Sequence, residues 1–414
     1  MNIFKKIIVA IIAIIASITA VNAQMIQTPY SMYGYGVLND HVSSAQRAMG
    51  GIGYALRSPR QINVKNPASY AAIDSMTFLF DIGANAGGII TSEDSRKGQT
   101  ALGGLDYITL QVPLAKWLGL SAGLLPYSSV RYNFGSKIAN GESSYQGSGG
   151  ISEAYLGLGA EPLKGLTLGV NAGYLFGHVV NDVFVTADNG AMSLYEKVLK
   201  VNDYNLQFGL QYGLTFKKKH TVTVGATYTL GKATHGTGYG VIYDVSNSNN
   251  KPDTIGLAPL KEGFSMPWSV GAGIAYQWDK RLTIGADFTY QPWSEAKFNG
   301  IEGFSSPATF ANRYKGAIGA EYIPTLRGAY MKRAAYRIGA YYSQDYMMIG
   351  NNHVKEFGIN CGLGLPTPTR TRINIGFEYR HRFTAPAATV NEDCFMVTVG
   401  VAFNEAWFVP SRIR

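Results

Sequence analysis

Apolar and polar side chains alternate over long segments of this chain, and no other feature constrains its fold as strongly. Clear examples are residues 166–176, 204–214 and 373–383, where apolar or aromatic positions such as Leu168 alternate with small or polar ones such as Asn171. Successive side chains of a β-strand point to opposite faces, so this pattern predicts strands with one apolar and one polar face. From residue 76 onward most of the chain follows it.

A soluble β-sandwich has the same alternation, but three features favour a transmembrane barrel. The segments are long and numerous, their polar face is rich in glycine, and the connections alternate between short and long, as in outer-membrane barrels. Charged residues make up 15% of the chain, against roughly 25% in soluble domains. No segment after the N-terminus has the roughly 18 consecutive apolar residues of a membrane-spanning helix.

The breaks between segments predict an all-β fold, a transmembrane antiparallel β-barrel of about 14 strands over residues 76–408, with a C-terminal tail at 409–414. The predicted strands are 76–88, 104–114, 118–134, 151–162, 166–187, 199–216, 221–243, 264–278, 282–297, 310–323, 334–346, 353–365, 372–383 and 394–408. The predicted outer loops are 89–103, 135–149, 188–198, 244–263, 298–309, 347–352 and 384–393. An even number of strands places the N- and C-termini together in the periplasm.

Residues 1–23 have the form of a secretory signal peptide. Lys5 and Lys6 precede an apolar run from Ile7 to Ile18, and small residues precede a cleavage site after Ala23. An uncleaved anchor helix is the alternative, although the apolar run is short for that role. The remaining basic residues are dispersed, so nucleic-acid binding is not indicated.

Residues 24–75 do not alternate, and they contain tyrosines and glycines, among them Tyr30, Tyr33 and Tyr35. The lumen of a 14-strand barrel is wider than that of a barrel of about eight strands, which side chains alone can fill. We therefore expect residues 24–75 to form a hatch inside the lumen, with a disordered tail as the alternative.

The signal peptide, the irregular segment ending in Asn66-Pro67-Ala68, the strand directly after it and the set of about 14 strands together resemble the FadL/TodX group of outer-membrane transporters. The closing segment Phe403–Phe408 resembles the Bacteroidetes branch of that group. The resemblance implies a hatch and gate at Asn66, Pro67 and Ala68, and passive uptake of hydrophobic or amphipathic small molecules similar to long-chain fatty acids. It also implies lateral exit into the surrounding outer-membrane lipid at a kinked third strand.

Pro126 interrupts the third predicted strand after a regular alternation that ends at Leu124. Proline has no N–H for the ladder and is confined to strand ends, edges and bulges. Pro126 and Tyr127 are therefore expected to form either a bulge without a further role or the lateral gate that the resemblance implies.

Charged side chains occupy many of the predicted inward positions. Two interpretations are open, and both can hold at once. The charges can form a lattice of ion pairs that fixes the hatch through Arg57, Arg60, Lys65 and Asp74. In addition, Arg337, Arg380 and Arg382 can attract the carboxylate of an amphipathic ligand, because arginine pairs with carboxylates through two hydrogen bonds. The inward set is Asp287, Arg313, Lys315, Glu321, Arg337, Glu378, Arg380 and Arg382.

The sequence has no catalytic signature of the Gly-x-Ser-x-Gly, His-Glu-x-x-His or Gly-x-x-x-x-Gly-Lys type, and its six histidines are scattered. It therefore predicts no enzyme, no cofactor and no metal site. The alternative function is a structural or docking barrel subunit of an outer-membrane secretion or assembly complex. Its partner would be another outer-membrane protein, and residues 244–263 form a loop long enough to hold one.

The two cysteines and five tryptophans give further expectations. By strand parity Cys361 faces lipid and Cys394 faces the lumen, so both are predicted to be free thiols, because a disulfide needs Cα atoms within about 7 Å. The tryptophans fall near predicted strand ends, which predicts aromatic belts at both membrane interfaces. They are Trp117, Trp278 and Trp407 at one end and Trp268 and Trp293 at the other.

Overall fold

The chain folds into a barrel whose first long strand pairs with its last. The computed structural model describes residues 28–93, 96–245, 253–260, 263–300, 308–368 and 370–406. The predicted signal peptide 1–23, the start of the predicted hatch, Trp407, Phe408 and the tail 409–414 lie outside the described residues. Strand pairing runs from Thr77 opposite Ala406 to Ser92 opposite Asn391, and this ladder closes the barrel.

Fourteen antiparallel strands form the closed wall, which confirms the predicted fold class. They are β2 (Thr77–Glu93), β3 (Arg96–Ala115), β4 (Leu118–Ser129), β6 (Gly141–Leu163), β7 (Leu166–Ala187), β8 (Met192–Phe216), β9 (His220–Thr229), β14 (Ser269–Trp278), β15 (Leu282–Gln291), β16 (Arg313–Tyr322), β17 (Ala335–Ile349), β18 (Asn352–Pro366), β19 (Arg372–Ala385) and β20 (Asn391–Ala406). The remaining strands are β1 (Val37–Leu38), β5 (Tyr132–Ile138), β10 (Lys232–Ala233), β11 (Gly236–Asp244), β12 (Asp253–Leu260) and β13 (Ser265–Met266).

Alternation in the sequence corresponds to the two faces of the wall. On β7, Leu168 and Tyr174 are 45% and 53% exposed, whereas Thr167 and Asn171 are 0% and 4% exposed. Exposed apolar side chains on the outside and buried polar ones inside are the arrangement of a barrel that lies in lipid. Within the described residues, no helix combines the length and the apolar character needed to cross a membrane.

Several segments predicted as outer loops are strands, so those predictions are wrong. Apart from the turns at 139–140 and 188–191, residues 135–149 and 188–198 continue the ladders of β5, β6, β7 and β8. Strands β6, β7 and β8 have 23, 22 and 25 residues, about twice the 9–11 residues that cross a bilayer. The predicted bounds of β7 are right, but β6 and β8 start earlier than the predicted 151 and 199, because backbone pairing continues in water without an apolar face.

Strands β5, β6, β7, β8, β11 and β12 thus form a protruding sheet beyond one end of the barrel. We call this the long-hairpin end. The opposite, short-turn end has tight turns, such as those from Ala115 to Leu118 and from Leu163 to Leu166. Part of the predicted loop 244–263 belongs to the protruding sheet as β12.

Three predicted barrel strands are interrupted. The predicted strand 221–243 is divided into β9 and β11, because residues 230–235 leave the wall and β10 pairs with β13. The predicted strand 264–278 is divided into β13 and β14. The predicted strand 118–134 ends at Ser129, and β5 begins at Tyr132.

The two cysteines test the predicted strand faces, and three tryptophans test the predicted aromatic belts. Cys361 is exposed and Cys394 is buried, and both are free, as predicted. Trp117 and Trp278 are 54% and 41% exposed, as expected for a belt. Trp293 is only 1% exposed and lies inside the barrel, so its assignment to a belt is wrong.

The segment before β2 packs inside the lumen in two parts. We call residues 28–38 the cap and residues 43–73 the floor. The cap contains a 3-10 helix (Pro29–Met32) and β1; the floor contains helix α1 (Ser44–Arg47) and a 3-10 helix (Pro67–Ala72). Further 3-10 helices are Trp293–Glu295 and Tyr330–Arg333. The cap lies near the long-hairpin end, since Thr28 bonds to Arg131 and Glu392.

Candidate functional site

Asn66 fixes the floor against the wall. Its side-chain oxygen accepts from the backbone N–H of Ala68 at 3.1 Å and so caps the helix that begins at Pro67. Its amide donates to the carbonyls of Tyr54 and Leu210 at 2.7 and 3.1 Å. Asn66 and Ala68 are each 0% exposed. The predicted hatch residues Asn66, Pro67 and Ala68 therefore lie together at one contact with the wall.

Inward-facing glycines form the seat of the floor. A Cβ on Gly169 would lie 2.3 Å from the carbonyl carbon of Pro67, and one on Gly339 would lie 2.1 Å from that of Met49. Separations under about 3 Å leave no room for a side chain, so backbone meets backbone at these points. The high glycine content of the polar face reflects this close contact. Other such glycines are Gly119, Gly159, Gly225 and Gly319, whereas Gly209 meets the side chains of Asn66 and Pro67.

Ion pairs join the lumenal segment to the wall. The pairs are Arg47 with Asp106 and Glu378, Arg57 with Glu161, Lys65 with Asp287, and Asp40 with Arg313 and Lys315. In addition, the Nδ1 atom of His41 lies 3.6 Å from a carboxylate oxygen of Glu153. Of the four residues predicted to fix the hatch through ion pairs, Arg57 and Lys65 form such pairs with the wall. The other two, Arg60 and Asp74, are exposed.

Asp40 has the most strongly shifted carboxyl group of the lumenal segment. Its burial disfavours the charged form, but the positive charges of Lys315 and Arg313 outweigh this effect and hold the pKa of Asp40 well below its usual value. Asp40 is therefore a carboxylate at neutral pH, bonded to β16 through both cations.

An aromatic cluster lies under the long-hairpin end, between the cap and residues of β14–β17 and their connections. The ring of Trp293 stacks on Tyr346 with centroids 4.3 Å apart, and Tyr35 lies edge-on to Phe298 at 5.3 Å. Tyr30, Tyr35 and Tyr346 are each 0% exposed. In the described chain this cluster closes the lumen below the long hairpins.

Two small polar chambers lie between cap and floor, on either side of residues 38–40. One has a volume of about 110 Å³ and is lined by Glu153, Gln207 and Tyr127, among others. The other has about 70 Å³ and is lined by Arg380, Arg382 and Glu378, among others. Since a water needs roughly 10–15 Å³ on this scale, the two chambers have room for roughly 7–11 and 5–7 waters, respectively. A third cavity of about 720 Å³ lies under the floor at the short-turn end, beside Arg57 and Glu161.

The three predicted ligand-binding arginines do not form one site. Arg380 and Arg382 both pair with Glu356, at 3.7 and 2.6 Å, and line the same chamber. Arg337 lies nearer the short-turn end, where it bonds to Glu321 at 2.8 Å and to Asn374 at 2.8 Å. In the described residues no group of three or more His, Cys, Asp or Glu side chains could hold a metal ion.

The wall opens between β3 and β4. The two strands pair only from Ala115 opposite Leu118 to Ile108 opposite Leu124. Beyond this point β3 pairs with β2 alone among the described strands, as far as Arg96. We call the opening between β3 and the continuation of β4 the seam.

Each of the two strands is irregular where they part. The β2–β3 register shifts at Asp106, and the β4–β6 register shifts between Pro126 and Ser128, which makes Tyr127 the bulged residue. Bulges bend a strand and end pairing, which accounts for the divergence. Pro126 and Tyr127 therefore lie where the wall opens.

The hatch strand β1 occupies the edge of β4 that β3 leaves. Val37 lies opposite Ser129 and Leu38 opposite Ser128. The N–H of Asn39 donates to the carbonyl of Tyr127 at 2.9 Å. Sequence reasoning missed this strand, because two residues are too few for a periodic pattern. It also missed Glu153, although the inward parity of that residue on β6 was readable.

Comparisons with known proteins agree with this architecture. A family model described as BamG matches residues 3–414. No curated protein matches the chain by sequence.

Solved structures share the fold at low sequence identity. The toluene transporter TodX of P. putida aligns with a TM-score of 0.65 and 14% identity, covering 90% of this chain and 100% of that one. The CymD monoaromatic hydrocarbon channel aligns with a TM-score of 0.58 and 16% identity, covering 90% and 99%. A FadL homologue of Pseudomonas aeruginosa aligns with a TM-score of 0.59 and 15% identity, covering 89% and 98%. At such identities the likeness shows the fold.

Proposed function

The chain belongs to the BamG family, and we propose that its barrel is a passive outer-membrane transporter for hydrophobic or amphipathic small molecules. Proteins of the same fold are described as a toluene transporter and a monoaromatic hydrocarbon channel, which supports this class of cargo. The observation that carries the proposal is the seam. Exposed apolar side chains border it, with Leu105 49% and Leu124 41% exposed.

The proposed route avoids the polar floor. A compound with apolar surface would enter at the long-hairpin end as residues 28–35 of the cap move while β1 stays on β4, and would leave sideways into lipid beside Pro126 and Tyr127. An opening in the wall allows this without burial of apolar surface among the charges of the floor. Diffusion down a gradient needs no cofactor. In this proposal the barrel lies in the outer membrane with its short turns in the periplasm, as in other outer-membrane barrels.

For a fatty-acid-like compound, Arg380 and Arg382 are the proposed carboxylate partners. They line one chamber and both pair with Glu356, and Arg382 also lies 3.6 Å from Glu392. A ligand carboxylate there would gain charge-assisted hydrogen bonds from two guanidinium groups. Arg337 is not part of this proposed subsite, because Glu321 and Asn374 already hold it elsewhere.

Uptake tests the proposal directly. Vesicles that contain the protein should take up a fluorescent long-chain fatty acid faster than empty vesicles. Pro126→Val should lower this rate several-fold, because valine restores an N–H and favours a regular strand. Pro113→Val is the matched control, since Pro113 lies in β3 beside an irregular pairing close to the short-turn end. Uptake no faster than in empty vesicles would refute transport of this compound class.

A docking barrel subunit of an outer-membrane secretion or assembly complex is the second candidate. Two observations favour it: the protruding sheet from β5 to β12, which extends the wall on one side, and the small volume of the lumenal chambers. Purification from native membranes distinguishes the two functions. A stoichiometric complex with another outer-membrane protein, together with no uptake in vesicles, would favour docking.

A further inference from the structure

One edge of β4 has two potential partners in the same register. Continuing the register of the β3–β4 ladder past Ile108 and Leu124 would place Gly104 opposite Ser128 and Gly103 opposite Ser129. These two serines are the residues that β1 now holds through Leu38 and Val37. We propose that β1 and β3 compete for this edge, so that release of the hatch strand lets β3 pair with β4 and closes the seam.

The competition follows from hydrogen bonding. The backbone groups along one edge of a strand can serve one neighbour at a time, and buried groups left unpaired are costly. Ser128 and Ser129 are 2% and 7% exposed, so their backbone groups need a protein partner. Loss of β1 would leave that edge open beside the free edge of β3.

Strand β1 is held weakly enough to exchange. Its ladder with β4 consists of two residue pairs, and the bond from Asn39 to Tyr127 adds one contact. Short segments with few backbone bonds open at low free-energy cost compared with core strands. If the β3–β4 ladder extended across the seam, its new residue pairs would replace the pairs between β1 and β4.

Strand β3 can move toward β4. Its residues 96–105 have no strand partner on that side among the described residues, and the Cβ position of Gly104 has nothing within 4 Å. The bulges at Asp106 and Tyr127 bend β3 and β4 just past the end of their ladder. Pairing between β3 and β4 would resume beyond these two bulges. Hatch and wall are therefore coupled: the seam stays open while β1 is in place. This coupling concerns the chain's own strands and does not depend on the transport proposal.

Cysteine pairs test the coupling in the full-length protein, with Cys361→Ser and Cys394→Ser as background. Pair one is Gly104→Cys with Ser128→Cys, which reports β3 on β4. Pair two is Leu110→Cys with Ala122→Cys, which lie opposite each other in the existing ladder. Opposite residues of antiparallel strands have Cα separations of about 4.5–5.5 Å, within disulfide range. Disulfide yield after mild oxidation is measured by mass spectrometry.

Gly36→Ala releases β1. Gly36 has φ +86°, and a Cβ there would lie 2.4 Å from Val130 Cγ2 and 2.5 Å from the carbonyl oxygen of Ser129. Val37→Pro is a second releasing change. The N–H of Asn39 bonds to Tyr127, so Leu38 and Ser128 form a non-hydrogen-bonded pair and it is the N–H of Val37 that faces Ser129, where proline cannot donate. Gly51→Ala is the matched control: Gly51 also lies at positive φ, +81°, but nothing lies within 4 Å of its Cβ position.

With the hatch unchanged, pair one should cross-link about tenfold less than pair two, since Gly104 and Ser128 lie past the end of the β3–β4 ladder and do not face each other as a pair. Either releasing change should raise the yield of pair one several-fold, and Gly51→Ala should not. If both releasing variants fail to insert, warming the pair-one protein releases β1 without a substitution, and the same rise is expected. The proposal is overturned if pair one cross-links as well as pair two with β1 in place, or if release leaves its yield unchanged.

Discussion

Single residues set how the floor meets the wall. Asn66 satisfies three backbone groups at once, and the glycines opposite it bring wall backbone against floor backbone. Neither role depends on hydrophobicity. The tripeptide Asn66-Pro67-Ala68 could be singled out from the sequence, but its partners Gly169 and Gly209 could not. The sequence shows that a glycine faces the lumen, but it does not show which residue that glycine contacts.

Asn66→Ala should destabilise the floor by about 2 kcal/mol, the sum of a lost helix cap and of buried carbonyls left without a donor. Limited proteolysis of the folded protein should then cut the lumenal segment faster, while the barrel keeps its heat-modifiable migration. Asn140→Ala is the control, because Asn140 is an exposed turn residue. Equal proteolysis of both variants would contradict the assigned role.

Gly169→Ala should shift the floor, because its methyl carbon would lie 2.3 Å from the carbonyl carbon of Pro67. We expect ionic conductance in planar bilayers to rise above that of the intact protein. Gly316→Ala is the matched control on another barrel strand, since nothing lies within 4 Å of its Cβ position. A rise in both variants would show that the wall alone was disturbed.

At the scale of elements, strand ends and bulges decide the architecture more than strand interiors do. The period-two pattern places β7 and β8 correctly in the membrane, and the predicted end of β7 at residue 187 is right, but the pattern does not mark the start of β8, which pairs from Met192 and not from 199. Pro126 did mark the irregular part of β4. Nothing in the sequence marks β1, whose two residues pair with the edge of β4 that β3 leaves.

Protonation should loosen the attachment of the segment after β1 to β16. Because the folded pKa of Asp40 lies below its unfolded value, its stabilising effect is present above the unfolded value and is lost as pH falls through the folded one. Asp40→Asn should remove this contribution. Cleavage of the cap by an acid-active protease should therefore rise below about pH 4 in the parent and change less with pH in the variant. Parallel pH profiles would contradict this assignment.

At the scale of the whole molecule, the barrel is closed by its own N-terminal segment twice, at the cap and at the floor. The aromatic cluster around Trp293 seals one end, and the glycine-seated floor seals the other. This explains why the lumen of a 14-strand barrel is divided into chambers as small as 110 and 70 Å³. A large open pore is therefore absent from the described structure.

Deletion of residues 24–60 removes the cap and most of the floor. Among the described residues of this stretch, 28–60, only β1 takes part in a barrel ladder, so the shortened chain should still insert and should conduct ions as a wide channel. Single-channel recording compares it with the intact protein, which should show no large steady conductance. Failure of the deletion to insert would mean that the segment acts first in folding.

The sequence by itself determined the barrel, its 14 strands, the inward and outward faces and the two free thiols. Those properties follow from the alternation of apolar and polar side chains along each strand. This pattern is local in the sequence, and it is required because one face of the wall contacts lipid. The tertiary structure alone decided the contacts between parts distant in the chain: the floor on its glycines, Trp293 in the lumen, the separation of Arg337 from Arg380 and Arg382, and the seam shared by β1, β3 and β4. Such contacts depend on which strands meet across the lumen, and no periodicity along the chain records that.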